Sequence, residues 1–572
     1  MKKVVEYIKG KRGIPYILII IIGFLVSIPL LWVQVCKTHD GVIHLIRTIS
    51  VDLSFNNGQF PFLLVPFFCR NFGYTMTAFY PPLVTYIPYI LGLIAGSAHI
   101  GIKLFAALTI VFSGIFMYNF VNEITKNKAV SFLSAIIYMT FPYHLELIFK
   151  RFAIGEFTAL AFIPLVFQGV YNLLNGNKKK HFYIAIGGIG LMLSHTITTM
   201  YTAIFCLIYI LFDVNKFLKK EVITKCIINT LFILLITAFF SVPLLEFKNE
   251  AYYSIFDPGA MNTNIEKVED SAVEPWQFLK DKDVQNGVSF VLGIPTVIML
   301  CISILAYQYV ESKYKELYKI HLILGLFLLF MCTKVFPWKY MPQILNNIQF
   351  PWRLIGLAMF FLAPIFAMNV YYLLKQIKKE TIKDILYIAI LVMVAIFTTI
   401  KLGTYPSEKA IDGIYEENVR KNPIITHWQV NRDYLPYKAL LEKRGYMETR
   451  KDKVYVLKGK ATIENERKKA LNMTFDIINV EANTTIELPY LFYPGYTVML
   501  ENKNEKEKLD TIESEKGFVQ VILTDNIEKA TITVQYTGTN LEKVSYTVSG
   551  ISLIGFILYI AWNKKKKTEN KI

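Results

Sequence analysis

Three short stretches carry the side chains best suited to chemistry. The first reads Thr38-His39-Asp40-Gly41-Val42-Ile43-His44-Leu45-Ile46-Arg47. As a helix it sets positions 40, 44 and 47 on one face, at i, i+4 and i+7, with Ile43, Ile46 and Ile49 on another. A carboxylate there could act as a general base, with His44 and Arg47 placed for a phosphate. The competing reading is an interfacial helix whose polar face simply meets water. Two histidines and an aspartate are too few, and wrongly spaced, for a closed metal site. The second stretch is Tyr143-His144-Leu145-Glu146, followed by Lys150-Arg151 and Gly155-Glu156, a concentration of charge between two apolar runs. It could bind substrate or only solvate an interface. The third is Gln349-Phe350-Pro351-Trp352-Arg353, where Pro351 suits the first turn of a helix. A helix N-terminus carries free N–H groups and partial positive charge, and Arg353 adds a full charge, a combination that suits an anionic headgroup. An arginine snorkelling beside an aromatic anchor is the alternative. His195, in Leu193-Ser194-His195-Thr196 at a helix end, reads more readily as a buried hydrogen-bonded residue than as a catalyst.

The elements that must position these residues are apolar. With 54% hydrophobic residues, 18% charged residues and mean hydropathy +0.39, the 572-residue chain is too apolar for a set of soluble domains. A bilayer crossing needs about 20 apolar residues. Such runs predict crossings near 14–35, 100–121, 129–147, 155–174, 181–195, 197–212, 222–245, 288–308, 320–336, 351–374, 384–402 and 546–562. The first is too long for a signal-peptide core and lacks a small-residue cleavage site, so it is read as a retained helix. Lys2, Lys3, Lys9, Lys11 and Arg12 precede it and predict a cytoplasmic N-terminus. Every second loop is then basic, through Lys126/Lys128, Lys178–Lys180, Lys216/Lys219/Lys220, Lys313/Lys315/Lys319, Lys375/Lys378/Lys379 and Lys564–Lys567. The opposite loops hold acids such as Glu266, Glu269, Asp270 and Glu274. The run 81–96 is short and carries Pro81, Pro82 and Pro88, so it is read as interfacial or re-entrant. The net charge of +17 therefore reads as orientation rather than nucleic-acid binding.

After Leu402 the composition changes. Segments 453–457, 474–480, 484–488, 497–500, 518–523 and 530–536 alternate or carry β-branched residues between Asn, Gly and charged turns, after short helices near 408–420 and 437–444. The predicted architecture is an α-helical polytopic membrane protein of about twelve transmembrane helices with an extracytoplasmic β-sandwich. Residues 1–402 form the bundle, including a long first outer loop at 36–98; 403–545 form the β-rich domain; 546–572 form a last helix and basic cytoplasmic tail. Both termini are expected in the cytoplasm. The six cysteines show no disulfide or zinc spacing, although Cys36 and Cys69 could share an oxidising side. No Gly-rich phosphate loop or GxSxG elbow occurs, which argues against a nucleotide-driven cytoplasmic enzyme.

The run His39-Asp40, His44 and Arg47, then Asn57-Gly58-Gln59-Phe60-Pro61, Phe72-Gly73-Tyr74 and Phe79-Tyr80-Pro81-Pro82-Leu83 resembles the opening of a bacterial multi-spanning family. Arg151-Phe152-Ala153-Ile154-Gly155-Glu156, Ser194-His195, Gln349 to Arg353 and Pro494-Gly495-Tyr496 extend the likeness. The family is the "6-pyruvoyl-tetrahydropterin synthase-related" membrane proteins, close to the YfhO-like proteins; no pterin-enzyme zinc site is present. The resemblance implies the GT-C glycosyltransferase architecture, with a catalytic acid in the first outer loop and a polyprenyl-phosphate-linked sugar as donor. By that analogy Asp40 is the base, and Arg151, Arg353 and His195 hold the departing lipid phosphate, with His44, Arg47, His144 and Glu156 as further substrate-binding candidates. The DxD or ExD pair of some such enzymes is absent after the first helix, which leaves metal dependence open; no cofactor is otherwise expected. The expected partners are membrane lipid, the lipid-linked sugar donor and an acceptor of the cell envelope, and the expected location is the bacterial plasma membrane. Two other classes compete. A non-catalytic assembly factor for surface polysaccharide would not need Asp40, Arg151 and Arg353 in one place. A lipid-linked sugar transporter would place charges deep within several helices.

Overall fold

The structure, a computed structural model, describes residues 13–59, 63–257, 265–279, 292–405, 411–422, 432–441, 445–502 and 505–569. The basic residues Lys2 to Arg12, Phe60 and Pro61, the start of the 288–308 run, and residues 408–410 and 442–444 of the two short predicted helices lie outside the described residues. Among the described residues, six helices are long and apolar enough to cross a membrane: Ala98–Thr125, Lys128–Arg151, Ile154–Leu174, Pro351–Lys375, Glu380–Gly403 and Asn540–Asn563. A bent pair, Lys220–Ile236 and Ala238–Glu250, meets at 66° and could add a seventh span. The expected count of twelve is not confirmed. The crossing expected at 14–35 is the helix Ile14–Val26, which ends because Pro29 turns the chain into the 3-10 turn Ile28–Leu31. The one at 181–195 is the ten-residue helix Tyr183–Met192, about 15 Å long. Those at 197–212 and 288–308 are the short helices Thr196–Leu211 and Pro295–Tyr309. Leu83–Ala95, with Pro88 inside it, is a 13-residue helix about 20 Å long, short of a bilayer core.

The break in the bent pair falls at Thr237, and the last helix repairs it. The Phe239 N–H donates to Ser549 Oγ at 2.9 Å, while that hydroxyl donates to the Leu235 carbonyl at 3.0 Å. One side chain thus satisfies a donor and an acceptor that the kink has released.

The remaining fold is β-rich. A small hairpin pairs β1 (Leu64–Val65) with β2 (Tyr74–Thr75). The C-terminal strands are β3 (Tyr455–Lys458), β4 (Thr462–Lys469), β5 (Asn472–Val480), β6 (Thr484–Leu491), β7 (Tyr496–Asn502), β8 (Glu505–Leu509), β9 (Ile512–Glu513), β10 (Phe518–Leu523) and β11 (Ile527–Tyr536). They form two antiparallel sheets, ordered β3-β6-β10-β9 and β4-β5-β11-β7-β8. Alternation decides their faces: in β5 Met473, Phe475 and Ile477 are buried, while Thr474 and Asp476 between them are not.

Two devices fasten the segment after the first helix. Consecutive left-handed residues Cys69, Arg70 and Asn71, with φ of 52, 60 and 70°, drive Phe72 into the β-region. Such residues cost about 1–3 kcal/mol each and need support. Leu491 N–H donates to Phe72 O at 2.8 Å, Lys468 Nζ to Asn71 O at 2.6 Å, and Phe72 meets Phe518 at 5.2 Å. The second device is the helix Asp412–Lys421. Asp412 accepts from the N–H groups of Val35 and Cys36, and Glu416 accepts from those of Ala98 and His99, all at 3.0 Å. Glu416 thereby caps the helix Ala98–Thr125, whose Ser97 makes no side-chain cap. Cys36 and Cys69 are both free thiols, and burial with Asp412 beside it pushes the Cys36 thiol up to about 12.

Candidate functional site

The site is built where the helix Gly41–Asn56 meets the end of Lys128–Arg151. That helix starts at Gly41 because only glycine fits: a Cβ there would stand 2.1 Å from both the Val35 carbonyl and Thr38 Oγ1. Thr38 Oγ1 accepts the Gly41 N–H at 3.1 Å, so the Asp40 carboxylate is not spent on capping. On the other side the chain leaves Glu146 through a π-turn, Leu147–Arg151, and reverses at Phe152, whose φ is 53°. The two segments lie side by side: His39 N–H donates to Lys150 O at 3.3 Å and Asp40 N–H to Arg151 O at 2.8 Å.

This pairing sets Asp40 against Arg151, Oδ2 to the guanidinium at 3.5 Å. Arg151 also reaches Glu156 at 3.4 Å, and Arg353 approaches the same Glu156 oxygen at 3.6 Å. Tyr143 donates to the other oxygen of Glu156 at 2.5 Å. Asp40, Arg151, Glu156 and Arg353 therefore form one continuous chain of charges. Exposure orders them. The Asp40 side chain is 40% exposed, whereas Arg151, Arg353 and Glu156 are at 10, 9 and 2%. Asp40 is the exposed end of the chain of charges, and the two buried guanidiniums flank one buried carboxylate.

Arg353 is held by strain. Gln349 has φ 62° and ψ −48°, and the Phe350 N–H bonds back to Ile348 O at 2.7 Å. This is the rare γ-turn form with positive φ. It presents Ile348 O and Gln349 Oε1 to Arg353 NH1 at 3.1 and 2.7 Å. Pro351 does lie in the first turn, a 3-10 turn ahead of the helix Leu354–Lys375. Arg151 stacks over Trp352 at 4.6 Å.

Four expected site residues behave differently. Arg47 does not point toward a phosphate, and its face does not meet water: the residue is 3% exposed. Its Nε donates to Met76 O at 2.9 Å, its NH1 to His44 Nδ1 at 2.7 Å, and its plane covers Tyr80 at 3.8 Å. The Tyr434 hydroxyl completes this shell. His44 is buried and accepts from Arg47, so its proton sits on Nε2; burial first, then Arg47, holds its pKa well below the ordinary imidazole range. His195 is an N-cap: Nδ1 accepts the Thr198 N–H at 3.3 Å and contacts Thr198 Oγ1 at 2.8 Å. It still borders the site, because a Cβ on Gly155 would lie 3.2 Å from its ring and 2.8 Å from the Tyr80 hydroxyl. His144 is not in the site at all. It is 2% exposed, with its ring beside Tyr138 at 6.3 Å, because the short helix Pro142–Glu146 turns that side into the bundle.

Sequence reasoning passes over several neighbours. Tyr80, Tyr143 and Trp352 sit inside the quoted motifs, but nothing in their spacing marks them as walls of the site. Asp433 and Tyr434 arrive from far along the chain; burial raises the Asp433 carboxyl against the pull of Arg47. Among the described residues no three His, Cys, Asp or Glu side chains converge into a metal-binding group. Asp40 pairs with Arg151, and Glu156 is already engaged by Tyr143, Arg151 and Arg353.

The fold and this charged cluster define a mostly helical membrane protein with a C-terminal β-sheet region. The chain belongs to the 6-pyruvoyl-tetrahydropterin synthase related domain family of membrane proteins, whose model matches residues 77–408. A Lactococcus lactis subsp. cremoris protein called uncharacterized is 25% identical over 562 residues, covering 88% of each chain. Among solved structures, the Archaeoglobus fulgidus oligosaccharyltransferase in complex with Zn and sulfate is similar at 17% identity and TM-score 0.35, over 68% of this chain. The chain spans about half, 53%, of that structure's length, and so distant a likeness carries no argument about activity.

Proposed function

We propose that this protein is a membrane glycosyltransferase that moves a sugar from a polyprenyl-phosphate donor to an acceptor of the bacterial cell envelope, with the site on the extracytoplasmic face. The observation that carries the reading is the gradient from exposed Asp40 to the buried pair Arg151 and Arg353. Asp40 takes a proton from the acceptor hydroxyl as its oxygen attacks the anomeric carbon. The bond from that carbon to the phosphate oxygen breaks, and the polyprenyl phosphate departs with the electron pair. Negative charge grows on the phosphate, where Arg151 and Arg353 stabilise it; pre-set donors of this kind contribute about 10²–10³ in rate. A direct displacement of this kind inverts the anomeric configuration. An assembly factor has no need for this convergence, so the chain of charges favours the enzyme.

The test uses the full-length protein in detergent with a polyprenyl-phosphate sugar, following release of polyprenyl phosphate. Asp40→Asn is expected to abolish release while binding of the donor persists, whereas Arg353→Met weakens both. Full turnover in Asp40→Asn removes Asp40 from the chemistry and sinks the reading.

A further inference from the structure

Arg47 decides what His44 can offer. A guanidinium keeps its protons, so the Nδ1 atom that it meets at 2.7 Å must accept, and the single ring proton is confined to Nε2. Arg47 is itself fixed, 3% exposed, by the Met76 carbonyl, the Tyr80 ring and the Tyr434 hydroxyl. His44 is therefore a neutral donor in one tautomer. Among the described residues nothing meets its Nε2–H, and that nitrogen is not sealed from solvent although the residue is only 6% exposed.

Its place on the helix matters as much. The His44 N–H closes the first turn onto the Asp40 carbonyl at 3.2 Å, so the imidazole lies one turn beyond the exposed carboxylate on the same face. Neighbours at this spacing stand about 5–6 Å apart at Cβ, within reach of two groups on one small molecule. His195 repeats the arrangement on the far side of Tyr80. Its Nδ1 accepts the Thr198 N–H, which leaves its proton on Nε2 as well. Its ring and the Tyr80 hydroxyl lie 3.2 and 2.8 Å from one point, where a Cβ on Gly155 would stand. This side of the site thus offers neutral N–H and O–H groups, while the full positive charges gather around Glu156. A phosphate is matched by the guanidiniums. Fixed neutral donors match uncharged oxygens.

We infer that His44, with its tautomer set by Arg47, donates its Nε2–H to a hydroxyl oxygen of a sugar in the site and not to the lipid phosphate. This rests on the sugar-transfer reading above. The hydroxyl belongs either to the sugar being transferred or to the acceptor, beside the hydroxyl that Asp40 deprotonates. Arg47 is a positioning residue that acts through His44.

The full-length protein in detergent is titrated with polyprenyl-phosphoglucose and with bare polyprenyl phosphate, and turnover is followed by release of polyprenyl phosphate. His44→Leu should leave the affinity for bare polyprenyl phosphate unchanged. A hydroxyl of the donor sugar shows as about tenfold weaker binding of the phosphoglucose alone. A hydroxyl of the acceptor shows as unchanged binding of both lipids with turnover about tenfold slower. His44→Gln keeps an N–H donor and should restore most of either loss. Arg47→Met frees the ring to take a proton, so turnover should fall between about pH 6.5 and 5 where the native protein holds steady; Tyr80, His195 and Arg151 are the other titratable or charged groups facing that ring. Should Arg47→Met fail to fold, ¹⁵N-histidine spectra of the native protein at pH 6, with His44 assigned by its absence in His44→Gln, read the same tautomer directly. Equal weakening of both lipids in His44→Leu overturns the inference, as does no change in binding or turnover, or an Nδ1–H or doubly protonated His44 in the spectra. Native protein that binds neither lipid, or full turnover in Asp40→Asn, instead marks failure of the sugar-transfer reading itself.

Discussion

Replacing Glu156 by Gln tests whether the buried part of the chain of charges is a real ionic cluster. The substitution keeps the shape and one acceptor oxygen but removes the charge that two guanidiniums share. At an effective dielectric of 20, opposite unit charges at these separations attract by about 5 kcal/mol per pair, here 3.4 Å to Arg151 and 3.6 Å to Arg353. Relief of the carboxylate's own desolvation offsets part of that loss. The expected net cost is about 3–5 kcal/mol, the usual range when one partner of a buried pair is removed. Reversible unfolding in mixed detergent micelles, followed by near-UV circular dichroism, measures it. The double variant Glu156→Gln/Arg353→Met removes charge from both sides, so it should be less destabilised than the sum of the single changes by about 2 kcal/mol. A Glu156→Gln protein within about 0.5 kcal/mol of wild type would refute the reasoning, the scale expected of a surface change. Strict additivity in the cycle would refute it equally.

Two further predictions concern the walls. His44 stays neutral when folded, so as pH falls below about 6.5 the unfolded chain gains a proton that the folded one refuses, and stability drops by up to about 1.4 kcal/mol per pH unit. His44→Gln should flatten that slope between about pH 6.5 and 5 in thermal scans, and an unchanged slope contradicts the burial of a neutral imidazole. Glu416→Ala strips the cap from Ala98–Thr125 and should cost about 1–2 kcal/mol, with faster hydrogen exchange at the Ala98 and His99 amides; unaltered exchange there argues against the cap.

Much of this architecture is legible in the sequence for simple reasons. Long apolar runs such as 351–374 are long because lipid and bundle both demand it, and β5 and β11 announce themselves by alternating β-branched residues. Other parts are silent. β4, Thr-Ile-Glu-Asn-Glu-Arg-Lys-Lys, and β8, Glu-Lys-Glu-Lys-Leu, read as charged loops because both are edge strands, where charge is how sheets avoid further pairing. Asp40, Arg151, Glu156 and Arg353 can be picked out as charges near apolar ends, but their contact through Glu156 is tertiary. Arg47 shows the converse. Its helical spacing from Asp40 and His44 suggests an exposed polar face, while the Met76 carbonyl and Tyr80 ring that bury it come from a later loop. His144 misleads for the same reason: helical spacing says which residues share a face, not which way that face turns.

The Ser549 hydroxyl bridges Leu235 and Phe239 across a kink made more than three hundred residues earlier in the chain. During synthesis those backbone groups emerge long before their partner exists. The bent pair must therefore wait, incompletely satisfied in an apolar layer, until the last helix is inserted. Docking of the helix Asn540–Glu569 and closure of the bent pair are therefore one event.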